Sequence, residues 1–337
     1  MFGRKETAVN FLYTVNNNFV PQLGAGIASI CENNSKEPQI TFYIMSFGIS
    51  LKNKDNLKRL AEKYNRNITF IEIADIKQYF DFDIDTSGWN PIVLARLIMG
   101  RILPENLKRI LYLDGDTIVI SSLEELWHMD LKDKTLGMSI EPTVDKKRKE
   151  ALGLKGYFYH NAGVLLVDLE KWRKKESDKK IIQYYRDHNG NLFANDQDAI
   201  NGALKDEILS IMPKYNFCNI FYQYPYKFLS NLVSPLKYFS KEEFDSCIKN
   251  PVIIHYLGEE RPWRAGNTHK YKKYYEKYLG MTDWKDTPYE DGWKVYFVCW
   301  RFFNFIMKPV PKVRYYMINM LIPFFMKYRA NKLRNGK

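Results

Sequence analysis

Asp114-Gly115-Asp116 sets two carboxylates one residue apart, directly after the apolar run Ile110-Leu111-Tyr112-Leu113. At a strand end such a pair can turn toward one point if the backbone bends, and glycine permits the bend. Divalent cations such as Mn²⁺ or Mg²⁺ take oxygen donors of this kind, and an ion held there could bridge to a diphosphate and neutralise the charge of a departing nucleotide. Asp-Gly is also a favoured hairpin turn, so taken alone the pair leaves both readings open. His255, closing the apolar run Val252-Ile253-Ile254, reads in isolation as a ligand or as a hydrogen-bonded structural residue. Asn16-Asn17-Asn18 follows another β-rich run, where it could face a ligand or form a turn and cap the next helix. Asp196 reads alone as a site carboxylate or a helix N-cap, and Arg96 and Arg261 as site cations or solvated surface charges.

These groups need elements to position them. Val9–Val15, Ile40–Met45, Ile68–Ile73 and Arg109–Leu113 are predicted strands. Helical patterns at Val20–Glu32, Asn53–Tyr64 and Pro91–Leu103 separate them, the last with proline in its first turn. This alternation argues for an α/β fold with a mostly parallel sheet flanked by helices. Ligands of such open sheets bind beyond the carboxyl ends of the strands, which makes Asn16–Asn18 and Asp114–Asp116 candidate neighbours. The second half is less regular: strands at Gly163–Val167 and Val252–His255, helices near Asp178–Arg186 and Asp196–Leu204.

Composition narrows the classes. The four cysteines are scattered without a CxxC pair, which argues against a zinc site or disulfide framework and fits a reducing compartment. Met1–Glu6 is polar with no basic-then-apolar leader, and no run approaches the roughly 18–20 apolar residues of a spanning helix. The formal charge is +12. Ten cations and no acid lie between Gly292 and Lys337, and taking those ten from +12 leaves +2 for all that precedes. The sequence therefore divides into a catalytic body, residues 1–285, and a basic, aromatic-rich tail, residues 286–337. Trp293–Phe325 interleaves large apolar side chains with cations, and Pro309, Pro311 and Pro323 are expected to cut it into short helical pieces. Such a stretch fits an anionic membrane interface or an added helical layer on the body. Single-stranded nucleic acid is a distant third reading.

Arg109 through Val119, RILYLDGDTIV, resembles the metal-binding segment of glycosyltransferase family 8, which includes bacterial lipopolysaccharide galactosyl- and glucosyltransferases and the glycogenins. Four more blocks follow the family's order. They are Ala95-Arg96-Leu97; His160–Leu169 with Lys171-Trp172-Arg173; Asn195–Asn201; and Ile254–Gly258 with Arg261-Pro262-Trp263. The resemblance implies a GT-A fold and a retaining hexosyltransferase that moves glucose or galactose from a UDP-sugar to a glycan. It implies Mn²⁺ or Mg²⁺ held by Asp114, Asp116 and His255, a diphosphate near Gly115, Gly258 and Arg261, and uracil and ribose near Asn16 and Asn18. Arg96, Asn161, Asp196 and Gln197 would line the sugar pocket, with Gln197 near the anomeric carbon. The family more often has aspartate at the position of Asn16 and lysine at that of Arg261. Asn16 keeps an acceptor without charge, and Arg261 keeps the charge with different geometry.

A neutral amide such as Gln197 is a poor nucleophile. The expected mechanism is therefore same-face transfer, with the nucleotide leaving first, a phosphate oxygen taking the acceptor proton, and Asp196 and Gln197 as the reaction-centre residues. The expected acceptor is a glycan or lipid-linked glycan of lipopolysaccharide or cell-surface polysaccharide. The expected location is the cytoplasm, peripherally on the inner face of the membrane. Glycogenin-like self-glycosylation and a non-catalytic glycan-binding role are the alternatives. Phe80–Asn90 and Glu141–Tyr159, where the resemblance is least, are the expected acceptor-side segments.

Overall fold

The computed structural model describes residues 8–86 and 89–334; Met1–Glu6 lies outside them. Among the described residues the strands are β1 (Val9–Asn16), β2 (Ile40–Phe47), β3 (Asn67–Glu72), β4 (Arg109–Leu113), β5 (Thr117–Val119), β6 (Leu136–Ile140), β7 (His160–Asp168), β8 (Ile208–Ile211) and β9 (Ile253–His255). Seven form one sheet in the order β3-β2-β1-β4-β7-β6-β8, and β5 pairs with β9 in a second. In the large sheet β7 runs antiparallel to β4 and β6, and the other pairings are parallel. This is the mostly parallel α/β sheet that the alternation predicts.

Period-2 patterning builds a core on each face. Phe11, Tyr13 and Val15 of β1, with Leu111 and Leu113 of β4 and Val164 and Leu166 of β7, pack on one side. Leu12, Ile110, Tyr112, Leu165 and Val167 pack on the other. The helix Val20–Asn33 is buried along nearly its whole length. The helix Leu51–Lys63 starts where the Ser50 hydroxyl accepts the Asn53 N–H.

Several elements differ from expectation. Pro91 does open a helical segment, but it winds as a 3₁₀ helix through Ile98 before a short α-turn, Met99–Ile102. Its i to i+3 bonding begins with the Val93 N–H on the Asn90 carbonyl, 3.2 Å away. β6 carries Gly137 and Ser139 and β8 has four residues, so neither shows a β-rich run long enough to be recognised. Pro309 and Pro311 do separate two tail helices, Lys294–Met307 and Pro311–Arg334. Pro323 does not divide the second; it sits inside it. It withholds one N–H from the Asn319 carbonyl, a loss an exposed helix can make good with water.

The tail has two faces. Phe297, Arg314 and Tyr315 are buried. Arg314 donates from Nη2 to Gln223 Oε1 (2.8 Å) and Asn304 Oδ1 (3.0 Å), and its guanidinium lies 4.8 Å from the Tyr224 ring. Tyr315 meets Phe228 at 5.7 Å. On the first tail helix Val295, Val298, Phe302, Phe305 and Ile306 are exposed. Their spacing, i, i+3, i+7, i+10 and i+11, puts them on one stripe. Among the described residues no helix is long and apolar enough to cross a membrane.

Candidate active site

Strand pairing brings the Asp pair and the histidine together. β5 follows the Asp pair directly and runs antiparallel to β9 with Thr117 opposite His255. The Tyr256 N–H donates to the Asp116 carbonyl at 3.0 Å, and the Asp114 N–H donates to the Gly163 carbonyl at 2.8 Å, fixing the turn to β7. One ligand atom each from Asp114, Asp116 and His255 lies within 4.8 Å of the others. His255 Nε2 is 3.3 Å from Asp116 Oδ1 and 3.9 Å from Asp114 Oδ2.

Gly115 serves the turn by its size rather than by its backbone freedom. It does not adopt positive φ; a Cβ there would sit 2.8 Å from the Phe19 ring, so the position needs room rather than an unusual bend. Gly258 does adopt positive φ (75°), a conformation that favours glycine. At Gly163 a Cβ would lie 2.3 Å from His255 Cε1, so the imidazole occupies the space a side chain would take.

Arg96 is buried and joins three parts of the site. Nη2 contacts Asp114 Oδ1 at 2.7 Å, Nη1 donates to the Ala162 carbonyl at 2.6 Å, and the guanidinium stacks 4.3 Å from the Tyr112 ring. Nε lies 2.9 Å from Asp196 Oδ2 but off the line of its N–H, so that contact is ionic rather than a hydrogen bond. Tyr112, which sequence reasoning missed, donates its hydroxyl to Asp114 Oδ1 at 2.7 Å. Asp196 is not an N-cap: the helix Asn195–Ala203 begins one residue earlier, and Asp196 turns from its first turn toward Arg96. Burial pushes the Asp196 carboxyl up to about 7 against the pull of Arg96.

Gln197 is held at both ends. Its Oε1 accepts the Ala162 N–H (2.9 Å), and its Nε2 donates to Glu141 Oε2 (3.1 Å) and the Tyr159 hydroxyl (3.0 Å). Tyr159 donates to Asp198 Oδ1 (2.6 Å), which also accepts from Arg148. Asn161 donates to Glu141 Oε2 (2.9 Å) and accepts the Gly163 N–H (2.9 Å). Glu141, Arg148, Tyr159, Asp198 and Asn216 were not singled out in the sequence. Glu141 and Tyr159 bound a segment with little family resemblance, and Asp198, inside the Asn195–Asn201 block, carries a signal only once its neighbours are seen.

Asn16 ends β1 with its Oδ1 buried and without a hydrogen-bond partner. Asn18 is exposed. Asn17, between them, is structural: its Oδ1 accepts from the Ser50 N–H (2.9 Å) and Asn53 Nδ2 (2.8 Å). Arg261 reaches Asp116 Oδ2 at 3.5 Å, with its guanidinium 5.7 Å from both the Phe19 and Trp263 rings. His255 carries opposing influences: burial disfavours its proton, but Asp116 and Asp114 outweigh that and raise its pKa. Asp116 responds in the opposite sense, its pKa lowered because His255 and Arg261 outweigh burial.

A mostly parallel sheet whose strand ends present an Asp-X-Asp pair beside a histidine is the arrangement expected of a GT-A glycosyltransferase. The model of glycosyl transferase family 8 matches residues 10–266, and the chain belongs to that family. It is 27% identical over 284 residues to general stress protein A of Bacillus subtilis, covering 83% of this chain and 96% of that one. It is also 27% identical to the lipopolysaccharide 1,2-glucosyltransferase of Escherichia coli K12, with 85% and 81% covered. Among solved structures, the galactosyltransferase LgtC, in complex with donor and acceptor sugar analogues, matches with a TM-score of 0.69 at 24% identity, over 85% of this chain and 99% of that one. GlyE of Streptococcus pneumoniae TIGR4 matches with a TM-score of 0.59 at 21% identity, covering 83% and 62%.

Proposed function

We propose that the enzyme is a retaining, metal-dependent hexosyltransferase that moves glucose or galactose from a UDP-sugar to a glycan of lipopolysaccharide or cell-surface polysaccharide. The observation that carries this reading is the convergence of Asp114, Asp116 and His255 within 4.8 Å at the strand ends. Two carboxylates and one imidazole suit Mn²⁺, or Mg²⁺ less closely, and leave coordination positions free for phosphate oxygens. When bound, the cation supplies positive charge against the departing diphosphate.

The chain's own residues do the rest. The unpaired Asn16 Oδ1 can accept the uracil N–H, with Asn18 toward the ribose. Arg261 presents a cation beside Asp116, where phosphate charge develops, and Gly258 leaves the backbone open to close approach. Asp196, braced by Arg96, is suited to accepting sugar hydroxyls rather than attacking carbon. Gln197 has its oxygen engaged by the Ala162 N–H, so it contributes a fixed dipole. Transfer on the leaving-group face follows, with the acceptor hydroxyl passing its proton to a phosphate oxygen. Isolation of a glycosyl-enzyme on Asp196 would overturn that mechanism. Donor hydrolysis measured with UDP-glucose, UDP-galactose and their N-acetyl counterparts, with Mn²⁺ and with EDTA, tests the assignment. No cleavage of any of the four with Mn²⁺ present would sink it.

The charge on His255 gives a pH signature. Without a cation the ring holds a proton against Asp116, and ligation requires the neutral ring, so binding releases that proton. Apparent Mn²⁺ affinity should therefore rise with pH, by up to about tenfold per unit, until the raised His255 pKa is passed, and then level off. Calorimetry in two buffers of different ionisation enthalpy should show the proton released. Equal heats in both would refute the protonated ring.

The exposed apolar stripe of the first tail helix, flanked by Lys294, Arg301 and Lys308, fits the interface of an anionic membrane, each nearby cation adding about 1 kcal/mol. The enzyme would then act at the cytoplasmic face on a lipid-linked acceptor. Phe302→Ser with Phe305→Ser should cut sedimentation with phosphatidylserine vesicles by about tenfold or more, given roughly 1.5–3 kcal/mol for each large apolar side chain buried. Hydrolysis of soluble donor should stay unchanged. Unaltered vesicle binding would remove the membrane role from this face.

A further inference from the structure

We infer that Asn216 is a positioning residue that fixes the His255 tautomer and, through Asn161 and Glu141, links the cation site to Gln197. The inference rests on the reading of His255 as a cation ligand, and it follows from which atoms must donate.

The Gly163 backbone N–H can only donate, and it points to Asn161 Oδ1 at 2.9 Å. That places the Asn161 amide nitrogen toward Glu141 Oε2, an acceptor at 2.9 Å. Asn216 approaches Asn161 Oδ1 at 2.8 Å, so Asn216 must offer its nitrogen there; turned over, two carbonyl oxygens would face each other. Its own Oδ1 therefore faces His255 Nδ1, 2.8 Å away, and requires a proton on that nitrogen. With Nδ1 protonated, the neutral imidazole presents a bare Nε2 to the carboxylates of Asp114 and Asp116. One backbone N–H thus sets the ligand atom of a histidine two side chains away.

Burial makes the chain of bonds hard to replace. His255, Asn216 and Asn161 are 2%, 1% and 6% exposed, so water is poorly placed to substitute for a lost amide. The imidazole has no room to swing toward β7, because it fills the space above Gly163. Backbone bonds at the next residue, Phe217, tie the segment to β9. The Phe217 N–H donates to the Ile253 carbonyl (2.8 Å), and the His255 N–H donates to the Phe217 carbonyl (3.0 Å). The far end of the relay is Glu141 Oε2, which also accepts from Gln197. Movement at the cation ligand is thereby connected to the Gln197 amide.

The test uses the full-length protein with ¹⁵N-labelled histidine. In metal-free wild type above the His255 pKa, the ring should show its proton on Nδ1, and Mn²⁺ should broaden the His255 signals. Asn216→Leu should shift the proton to Nε2 or to a mixture, and weaken Mn²⁺ binding by about 10–100-fold, the usual cost of losing such a partner. Asn216→Asp keeps an acceptor for Nδ1 but cannot donate to Asn161. It should restore the tautomer and most of the Mn²⁺ affinity while leaving KM for the donor raised. If Asn216→Leu does not fold, Asn216→Asp decides alone: an Nδ1 proton together with a raised donor KM supports the relay, and a wild-type KM overturns the link to Gln197. A wild-type tautomer and Mn²⁺ affinity in folded Asn216→Leu would overturn the inference while leaving the cation site intact. Absence of Mn²⁺ broadening in wild type would instead refute His255 as a ligand.

Discussion

Asp116→Asn should lower sugar transfer by about a thousandfold or more at saturating donor, with the fold intact. The substitution is isosteric and removes one negative charge from a cluster whose proposed work is to hold a cation against a diphosphate. A metal at a leaving group is worth several kcal/mol, and about 4 kcal/mol corresponds to three decades in rate. Asp116 is a cleaner choice than Asp114, which also anchors Arg96 and the Tyr112 hydroxyl. Loss of the carboxylate also removes the main partner of the His255 proton, so the proton released on Mn²⁺ binding should disappear with the activity. Asp133→Asn, at an exposed carboxylate paired with Lys134 and outside the site described above, is the control. Retention of a tenth of wild-type transfer by Asp116→Asn would exclude this carboxylate as an essential ligand.

Arg96→Met should be the most damaging single change to stability within the site. The guanidinium is buried between Asp114 and Asp196, and methionine fills part of its volume while leaving Asp196 without a counter-charge and Asp114 with only the more distant His255. Breaking a buried ion pair from one side costs about 3–5 kcal/mol. The loss should depend on pH. The Asp196 carboxyl, already raised to about 7 by burial, binds a proton in the folded state at pH values where the unfolded chain has released it. Stability linked to it therefore falls as pH rises from about 4 to 7. Without Arg96 that pKa moves higher still, so the variant can relieve part of its penalty by protonation in acid. Urea unfolding at pH 5.5 and pH 8 should show the larger deficit at pH 8. A pH-independent deficit would mean that Asp196 is not the group left exposed to the loss. Arg96→Lys should fail as well, because one ammonium cannot span Asp114, Asp196 and Ala162 or stack on Tyr112.

The parts of this architecture that could be read from sequence are those whose signal is local. β1 to β4 are apolar, β-rich runs bounded by polar clusters, and their parallel order follows from the helices between them. Asp114 and Asp116 stand out because their spacing is itself the chemistry, and the resemblance brought His255 to them. Other features depend on tertiary context. β5 and β9 have three residues each and exist as strands because they pair with one another, with β9 also bonded to Phe217. β6 hides behind Gly137 and Ser139. Asn216 follows a short 3₁₀ turn and has no distinguishing neighbours; its role becomes visible only beside His255 and Asn161. Gly115 shows the converse: the sequence suggests backbone freedom as its use, whereas in the structure the ring of Phe19 sets its size. The tail's composition announced an amphipathic segment but not that Arg314 would anchor its inner face on Gln223.

The pairing of β5 with β9 also ties the Asp pair to a histidine that lies far downstream in the sequence. During synthesis the Asp pair leaves the ribosome well before His255, and the large sheet draws no strand from β9. A chain that ends ahead of β9 carries all seven strands of the large sheet and lacks the imidazole. On the reading of His255 as a ligand, a chain cut ahead of β9 is missing one of the three groups proposed to hold the cation.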